Sequence, residues 1–239
     1  MTESATSSTH ARREKPNPTT EAIEDYAKAI YSLSHHSGGP VGTSELASRL
    51  GVAPATATAM LKRLDGMDLV DHEPYHGVKL TPAGERVALE VIRHHRLLES
   101  YLSEFLGMPW DRVHEEAEVL EHYISEDLEQ LIAAKLGDRR HDPHGDPIPN
   151  VDLALPDEDE GRPLVSLEPG ESGTFTRVSD VDSRMLRYLA ERGIRPGARV
   201  VVKGRQPFDG PLEVEIDGRE HALGGELVRR MQVSAEGGR

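Results

Sequence analysis

The sequence feature that most restricts the fold of this chain is a pair of short helices, one predicted to end at Gly51 and the next to begin at Pro54. Before Gly51, Thr43 or Ser44 is a good helix N-cap, and Leu46 belongs to a short apolar stripe. After it, Pro54 suits the first turn of a new helix because its missing N–H has no helical partner there. Two short helices joined by a tight turn predict a helix-turn-helix.

The flanking segments extend this motif into a winged helix. Apolar residues recur with helical spacing from about Glu21 to Gly38-Gly39, and Asp25 and Lys28 fall on the edge of that helix. Residues 69–80 form two short extended runs around a Pro/Gly turn, which predicts a β-hairpin wing. Thr81 and Pro82 then begin the next helix. We predict a winged-helix domain over residues 21–84.

The remainder of the chain divides into a helical part and a strand-rich part. Helices are predicted over about 83–106 and 110–136, with a break at Gly107-Met108-Pro109, and they belong to a helical domain over 85–150. Residues 151–163 read as an acidic linker. The C-terminal residues 164–235 alternate short strand candidates with Gly turns, which indicates a small barrel. The predicted elements there are strands over about 173–178, 198–202, 212–216 and 229–233 and a helix over about 183–192.

Composition limits the possible classes of protein. The 239 residues include only three Phe, which favours several modest domains over one large core. Residues 1–20 read as a disordered tail without a secretory signal, and no apolar run is long enough to span a bilayer, so we expect a cytoplasmic protein without membrane contact. A net charge of −14 argues against indiscriminate nucleic-acid binding, although it is compatible with a local basic surface.

Zero cysteines mean that any bound metal must be held by oxygen and imidazole nitrogen. Glu118, Glu121 and His122 stand at i, i+3 and i+4, which on a helix puts two carboxylates and an imidazole on one face. A solvated acidic face is the alternative interpretation. His95 and Glu99, four residues apart, are further candidate ligands, and so are His114 and Asp25. Such a set favours manganese(II), with iron(II), cobalt(II) and zinc(II) as alternatives.

Several ordered motifs resemble the diphtheria toxin repressor family of iron- and manganese-dependent repressors. The resemblance covers about residues 21–150 and extends more loosely to a C-terminal segment similar to the family's SH3-like (FeoA-like) domain. It implies a mainly α protein with small β parts: a winged helix-turn-helix, a helical dimerisation domain and an SH3-like small β-barrel. The motifs are Glu24-Asp25-Tyr26, Ile30-Tyr31, residues 51–69, Leu80-Thr81-Pro82-Ala83-Gly84, residues 93–99, residues 118–122 and residues 142–149.

The resemblance also implies two metal sites. The family's principal site falls on Asp25, Glu118, Glu121 and His122, and the first two positions match manganese-type members, since iron-type members carry Met and Cys there. The ancillary site falls on His95, Glu99 and His114, with an acidic residue near Asp182 as a further candidate ligand. Lys28 replaces a Glu of the shortest manganese sensors, so we do not expect their binuclear cluster.

The third predicted helix, about residues 54–65, would enter the major groove of DNA. Its N-terminal end carries short side chains that can touch thymine methyls or phosphates. Basic residues nearby would contact phosphates, with ordinary solubilising charges as the alternative interpretation. The N-terminal candidates are Pro54, Ala55, Thr56 and Thr58, and the basic candidates are Arg49, Lys62, Arg63 and Lys79.

Metal and DNA binding would be linked. Without metal, Asp25, Glu118 and Glu121 are expected to repel one another, and a divalent ion would remove that repulsion and hold the winged helix in its DNA-binding pose. Two half-sites of a palindromic operator require a homodimer. Apolar residues on more than one face of the last long helix offer surface for the partner. They are Val113, Ala117, Leu120, Ile124 and Leu131, with Val119 and Tyr123 on a second face, where excess core packing is an equal alternative.

Other interpretations stay open at this point. An iron-dependent repressor of the same family would use the same architecture. A winged-helix regulator that does not respond to metal would leave the acidic and imidazole residues as solvated surface. A metal-dependent hydrolase could use the same ligands, but the sequence has no His-Glu-x-x-His helix and no nucleophile motif. We therefore expect a repressor, no enzyme and no small-molecule substrate.

Overall fold

A computed structural model describes residues 18–73, 76–156, 161–179, 182–208 and 210–235. The predicted tail over residues 1–20 therefore lies outside the described residues up to position 17, and the first helix begins at Pro18. The tip of the predicted wing, at residues 74 and 75, also lies outside them, as do residues 157–160 of the predicted linker.

The winged helix-turn-helix is present. Its core collects apolar side chains from every element, such as Ile30, Leu46 and Leu61, all fully buried. The backbone of Val41 bridges that of Val78, which joins the segment before the second helix to the wing. The elements are α1 (Pro18–Ser37), α2 (Thr43–Arg49), α3 (Pro54–Asp65), β1 (Val70–Glu73) and β2 (Gly77–Leu80).

The helical domain consists of α4 (Pro82–Leu106), α5 (Val113–Leu120) and α6 (Glu126–Leu136). The prediction of one continuous helix over 110–136 is wrong, because the chain turns between α5 and α6. Ser125 caps α6 by accepting a hydrogen bond from the N–H of Leu128, at 3.3 Å, and acidic residues fill the first turn. As a consequence, Glu121 and His122 lie in a turn after α5 and not within a helix.

The C-terminal domain is a six-stranded antiparallel sheet with two helices. The strand order is β3-β8-β4-β5-β6-β7, so β3 and β7 are the edge strands of what we predicted as a small barrel. Its core includes Phe175, Leu186 and Val200. The elements are β3 (Arg162–Pro163), a 3-10 turn (Leu164–Ser166), β4 (Ser172–Val178), α7 (Ser183–Glu191), β5 (Arg199–Arg205), β6 (Leu212–Ile216), β7 (Arg219–Leu223), α8 (Gly225–Arg230) and β8 (Met231–Ala235).

Two sequence predictions for this domain need correction. The strand predicted over 229–233 begins later, because α8 precedes β8. Strand β7 was missed, although Asp217-Gly218 signals a tight hairpin: both residues have positive φ, at 46° and 78°, as a turn between paired strands requires.

The C-terminal domain packs against the helical domain at two points. Trp110, from the loop before α5, is buried in the core of the C-terminal domain, and the guanidinium of Arg195 lies 4.1 Å from the centre of its ring. Gly145, in a left-handed conformation with φ of 93°, lies against Thr176 of β4 so closely that a Cβ would stand 1.9 Å from the Thr176 carbonyl oxygen. The N–H of Val178 donates to the carbonyl of His144 at 3.0 Å.

Within the part of the chain that the structure describes, no helix combines the length and apolar character that crossing a membrane requires.

Candidate metal centre

One group of metal-ligand side chains joins α1 to the turn after α5. Asp25 comes from α1, Glu121 and His122 come from the turn, and their donor atoms lie within 4.8 Å of one another. His122 donates from Nδ1 to Glu24 Oε2 at 2.6 Å and from Nε2 to Asp25 Oδ1 at 3.1 Å. Burial alone would lower the pKa of His122, but the hydrogen bonds to Asp25 and Glu24 raise it to about 10. His122 is therefore an imidazolium at neutral pH when no metal is bound.

A second group joins α4 to α5. His95 of α4 lies with His114 and Glu118 of α5, again with donor atoms within 4.8 Å. Buried Glu99 completes this group, since its Oε1 is 3.0 Å from His95 Nε2 and 3.3 Å from His114 Nδ1. Burial opposes the charged form of His95, but Glu99 and Glu121 raise its pKa to about 9.

Lys28 connects the two groups. Its ammonium Nζ lies 2.7 Å from Glu118 Oε1 and 2.8 and 2.9 Å from the two carboxylate oxygens of Glu121. Burial would lower the pKa of Lys28, but Glu121 and Glu118 more than offset this and raise it. The helical spacing had placed Lys28 at the edge of a helix, and the family resemblance had placed it where the shortest manganese sensors carry a Glu, but neither predicted these contacts. Its position three residues after Asp25, on the same face of α1, is the signal that could have found it.

This geometry changes two expectations. Of the residues predicted for the principal site, Asp25, Glu121 and His122 lie together, whereas Glu118 lies with His95 and His114. The expected repulsion among Asp25, Glu118 and Glu121 is partly offset by side chains, since Lys28 pairs with Glu118 and Glu121, and the imidazolium of His122 pairs with Asp25.

A third group was not predicted, although its residues lie in two segments that carried the family resemblance. Glu99, Asp142 and His144 are buried together, with donor atoms within 4.8 Å of one another. Asp142 Oδ1 accepts from the backbone N–H groups of His144 and Asp146, at 2.8 and 2.9 Å, which is a turn-forming arrangement. His144 Nε2 donates to the carbonyl of Trp110 at 2.8 Å, and its Nδ1 is 3.4 Å from Glu99 Oε2. The Asp-Pro-His-Gly-Asp-Pro pattern of turn residues is the signal for this loop.

Asp182 does not join any of the three groups in the described residues. It is the N-cap of α7, where its side chain accepts from the N–H of Arg184 at 3.0 Å and pairs with the guanidinium of the same residue. These hydrogen bonds lower the pKa of Asp182 to about 2.

The predicted DNA contacts lie around α3. The basic candidates Arg49, Lys62, Arg63 and Lys79 are all exposed. Pro54, Ala55 and Thr56 are exposed at the start of α3. Thr58 is half-buried, and its hydroxyl donates to the carbonyl of Pro54 at 2.9 Å, so it is already used within the helix.

The first two groups fit a divalent cation. Carboxylate oxygen and imidazole nitrogen are ligands for manganese, iron, cobalt and zinc, and Glu121 and His95 are buried where a bound ion would be shielded from water. Fold and site together define a winged-helix transcription regulator with a metal centre between its DNA-binding and helical domains.

Comparison with known proteins identifies the family. Residues 18–78 match the N-terminal DNA-binding domain of iron-dependent repressors, residues 81–150 match the metal-binding and dimerisation domain of the same proteins, and residues 162–235 match the FeoA domain. The chain belongs to the diphtheria toxin repressor (DtxR) family of metal-dependent transcriptional repressors, as the motifs had indicated.

Individual relatives cover nearly the whole chain. The iron-dependent repressor IdeR of Mycobacterium tuberculosis is 30% identical over 232 residues, which are 91% of this chain and 98% of the relative. The diphtheria toxin repressor of Corynebacterium efficiens is 29% identical over 222 residues, or 87% and 96%. Among solved structures, a manganese-dependent transcriptional repressor in complex with manganese is 42% identical, with a TM-score of 0.83 and coverage of 89% of this chain and 99% of that one.

Family membership excludes two of the interpretations left open by the sequence. The chain is a metal-dependent transcriptional repressor that binds a divalent ion, with a DNA-binding domain and a dimerisation domain. It is not an enzyme, so the hydrolase alternative is excluded, as is a regulator without a metal response.

Proposed function

We propose that this chain is a manganese-responsive repressor that acts as a homodimer on a palindromic operator in the cytoplasm. The observation that carries the proposal is the first ligand group: Asp25 belongs to the winged helix, Glu121 and His122 belong to the helical domain, and their donor atoms lie within 4.8 Å. A divalent ion bound there ties the two domains together. The orientation of α3 then depends on whether the metal is bound.

We assign the same ligands as the two sets proposed from the sequence, except that Glu118 can belong to either set. Asp25, Glu121 and His122 hold the ion, and Glu118 joins them as the fourth ligand or serves the second group with His95, Glu99 and His114. A metal present at about 100 times its dissociation constant stabilises the competent state by about 2.7 kcal/mol, a hundredfold change in population.

Manganese is the proposed ion because the groups contain only oxygen and nitrogen donors, and carboxylates outnumber imidazoles in the principal set. Two solved relatives, one a manganese-dependent repressor and one the manganese-activated repressor ScaR, have 42% and 28% identity to the chain. An operator-binding titration with manganese, iron and zinc, and with a chelator, tests this choice. Activation by iron at lower free concentration than manganese would assign the iron-dependent alternative.

Dimerisation is proposed to use an apolar surface of the helical domain. Large side chains that would ordinarily be buried are exposed there, with Leu131 at 69% and Val119 at 62% exposure, and Tyr123 and Leu128 about half exposed. Of the apolar residues predicted for the dimer, Val113, Ala117 and Ile124 are instead buried within the chain. A dimer would present two copies of α3 to two half-sites.

Replacing a ligand of the first group tests the metal switch. Glu121→Ala or His122→Ala should abolish manganese-dependent operator binding while leaving a folded dimer, because each variant removes a donor atom that links the two domains. Gel retardation with and without manganese, with circular dichroism and size exclusion on the same samples, provides the measurement. Glu116→Ala, which removes an exposed carboxylate of α5, is the matched control. If both ligand variants retard operator DNA as strongly as the wild type, and do so with or without manganese, the mechanism is contradicted.

A further inference from the structure

Lys28 places a positive charge among proposed metal ligands of both groups. Its Nζ donates to three carboxylate oxygens, one from Glu118 and two from Glu121, all at 2.7–2.9 Å. The Lys28 side chain is only 15% exposed, and that of Glu121 is not exposed at all. The Nδ1 atom of His95 is 3.5 Å from the same ammonium.

The contacts of Lys28 should lower the affinity of these carboxylates for a divalent ion. An ammonium has three donors and no lone pair, so Lys28 cannot itself become a ligand while charged. A divalent ion that takes an oxygen of Glu121 must share that carboxylate with the ammonium, and two cations on one buried carboxylate repel each other. The ion therefore has to weaken or displace contacts of Lys28.

The same contacts also hold the protein together without metal. Lys28 belongs to α1 of the winged helix, whereas Glu118 and Glu121 belong to α5 and the turn that follows it. Without this ammonium, Glu118 and Glu121 would lose the positive charge that offsets their mutual repulsion, and α1 would lose its ion pairs to the helical domain.

We propose that Lys28 is a tethered cation that joins the winged helix to the helical domain in the metal-free protein and competes with the divalent ion for Glu118 and Glu121. Lys28 thereby sets the metal concentration at which the repressor responds. The inference rests on the proposed function only in assuming that the ion binds at these carboxylates. The role of Lys28 in the metal-free state stands apart from that assumption.

Neutral and charged replacements of Lys28 test both halves of the proposal. Lys28→Met removes the charge, Lys28→Gln removes it while keeping a hydrogen-bond donor, and Lys28→Arg keeps it. Lys203→Met is the matched control, since Lys203 forms a 2.8 Å ion pair with Glu215 in the C-terminal domain. Manganese affinity is measured by isothermal titration, and the melting temperature of each full-length protein is measured in chelator.

In chelator, both neutral variants should melt several degrees below the wild type, because the carboxylates lose their counter-ion. With manganese they should bind at least tenfold more tightly, whereas Lys28→Arg and Lys203→Met should show no such gain. Folded Lys28→Met and Lys28→Gln proteins with unchanged or weaker manganese affinity would overturn the competition. An unchanged melting temperature in chelator would overturn the joining role. If the wild type binds no manganese, the proposed function fails instead.

Discussion

The first and third ligand groups contain the same kinds of residue and differ in what satisfies them. In the first group, the partners of His122 and Glu121 are charged side chains, among them Asp25 and Lys28 of the winged helix, and the Asp25 side chain is 42% exposed. In the third, the buried side chain of Asp142 accepts from two backbone N–H groups through Oδ1, and that of His144 donates to a backbone carbonyl. Side-chain partners can be exchanged for an ion, whereas the backbone partners can leave only if a turn unfolds. We therefore propose the first group as the switch and the third as a structural anchor.

The largest effect is expected at the anchor. Gly145→Ala should lower the free energy of unfolding by about 3 kcal/mol, because its Cβ would overlap the carbonyl of Thr176 and its φ is unfavourable for alanine. For a chain of this size that corresponds to a fall in melting temperature of about 6 to 12 °C. Thermal denaturation followed by circular dichroism measures it.

Gly170→Ala provides the control, because Gly170 has the same φ of 93° but no atom within 4 Å of the point where a Cβ would stand. It should cost only about 1 kcal/mol, the strain of the left-handed backbone. Equal losses for both variants would show that the loop at 142–149 is not packed against β4 as described.

The second prediction concerns pH and the switch. Metal-free His122 has a pKa of about 10, so manganese must displace its proton, and affinity should rise about tenfold per pH unit between pH 7 and 9 for each proton released. Isothermal titration in buffers of different ionisation enthalpy counts those protons. Affinity that stays constant over this range would exclude His122 as a ligand.

The metal-free protein should respond in the opposite direction. The folded pKa values of His122 and His95 lie above the unfolded value, so the stability that their charged forms contribute is complete below about pH 6.5. It is lost as pH rises through 9 to 10. Melting temperatures in chelator should fall over that range while metal affinity increases.

The smallest effect is expected at Asp182. Asp182→Ala removes the N-cap of α7 and should cost about 1 kcal/mol, with manganese affinity unchanged within about twofold. A tenfold loss of affinity would show that the C-terminal domain supplies a ligand, as the family resemblance had implied for this position.

Local signals in the sequence were sufficient for the winged helix. The start of a helix at Pro54 and the two extended runs of the wing are each predicted from residues that are neighbours along the chain. Helix α3 begins at Pro54 as predicted. The break between α5 and α6 was missed because the apolar period continues through it. The Ser125 cap and the acidic residues behind it were the overlooked signal.

The way in which the candidate ligands group in space was harder to predict than the candidate residues themselves. The helical spacing made Glu118, Glu121 and His122 candidate ligands, but their positions in two different groups depend on which side chains α1 and α4 bring to them. Lys28 could be seen as central only when both carboxylates appeared around it. A single chain carries no local record of contacts between residues about 90 positions apart.

Trp110 comes from the helical domain and packs into the core of the C-terminal domain. Its indole belongs to the helical domain by sequence and to the C-terminal domain by packing, at 2% exposure. Loss of the C-terminal domain would expose the indole of Trp110 to water beside the metal-binding helices, and such an exposed apolar surface promotes aggregation. The solubility of the helical domain therefore depends on the C-terminal domain that covers Trp110.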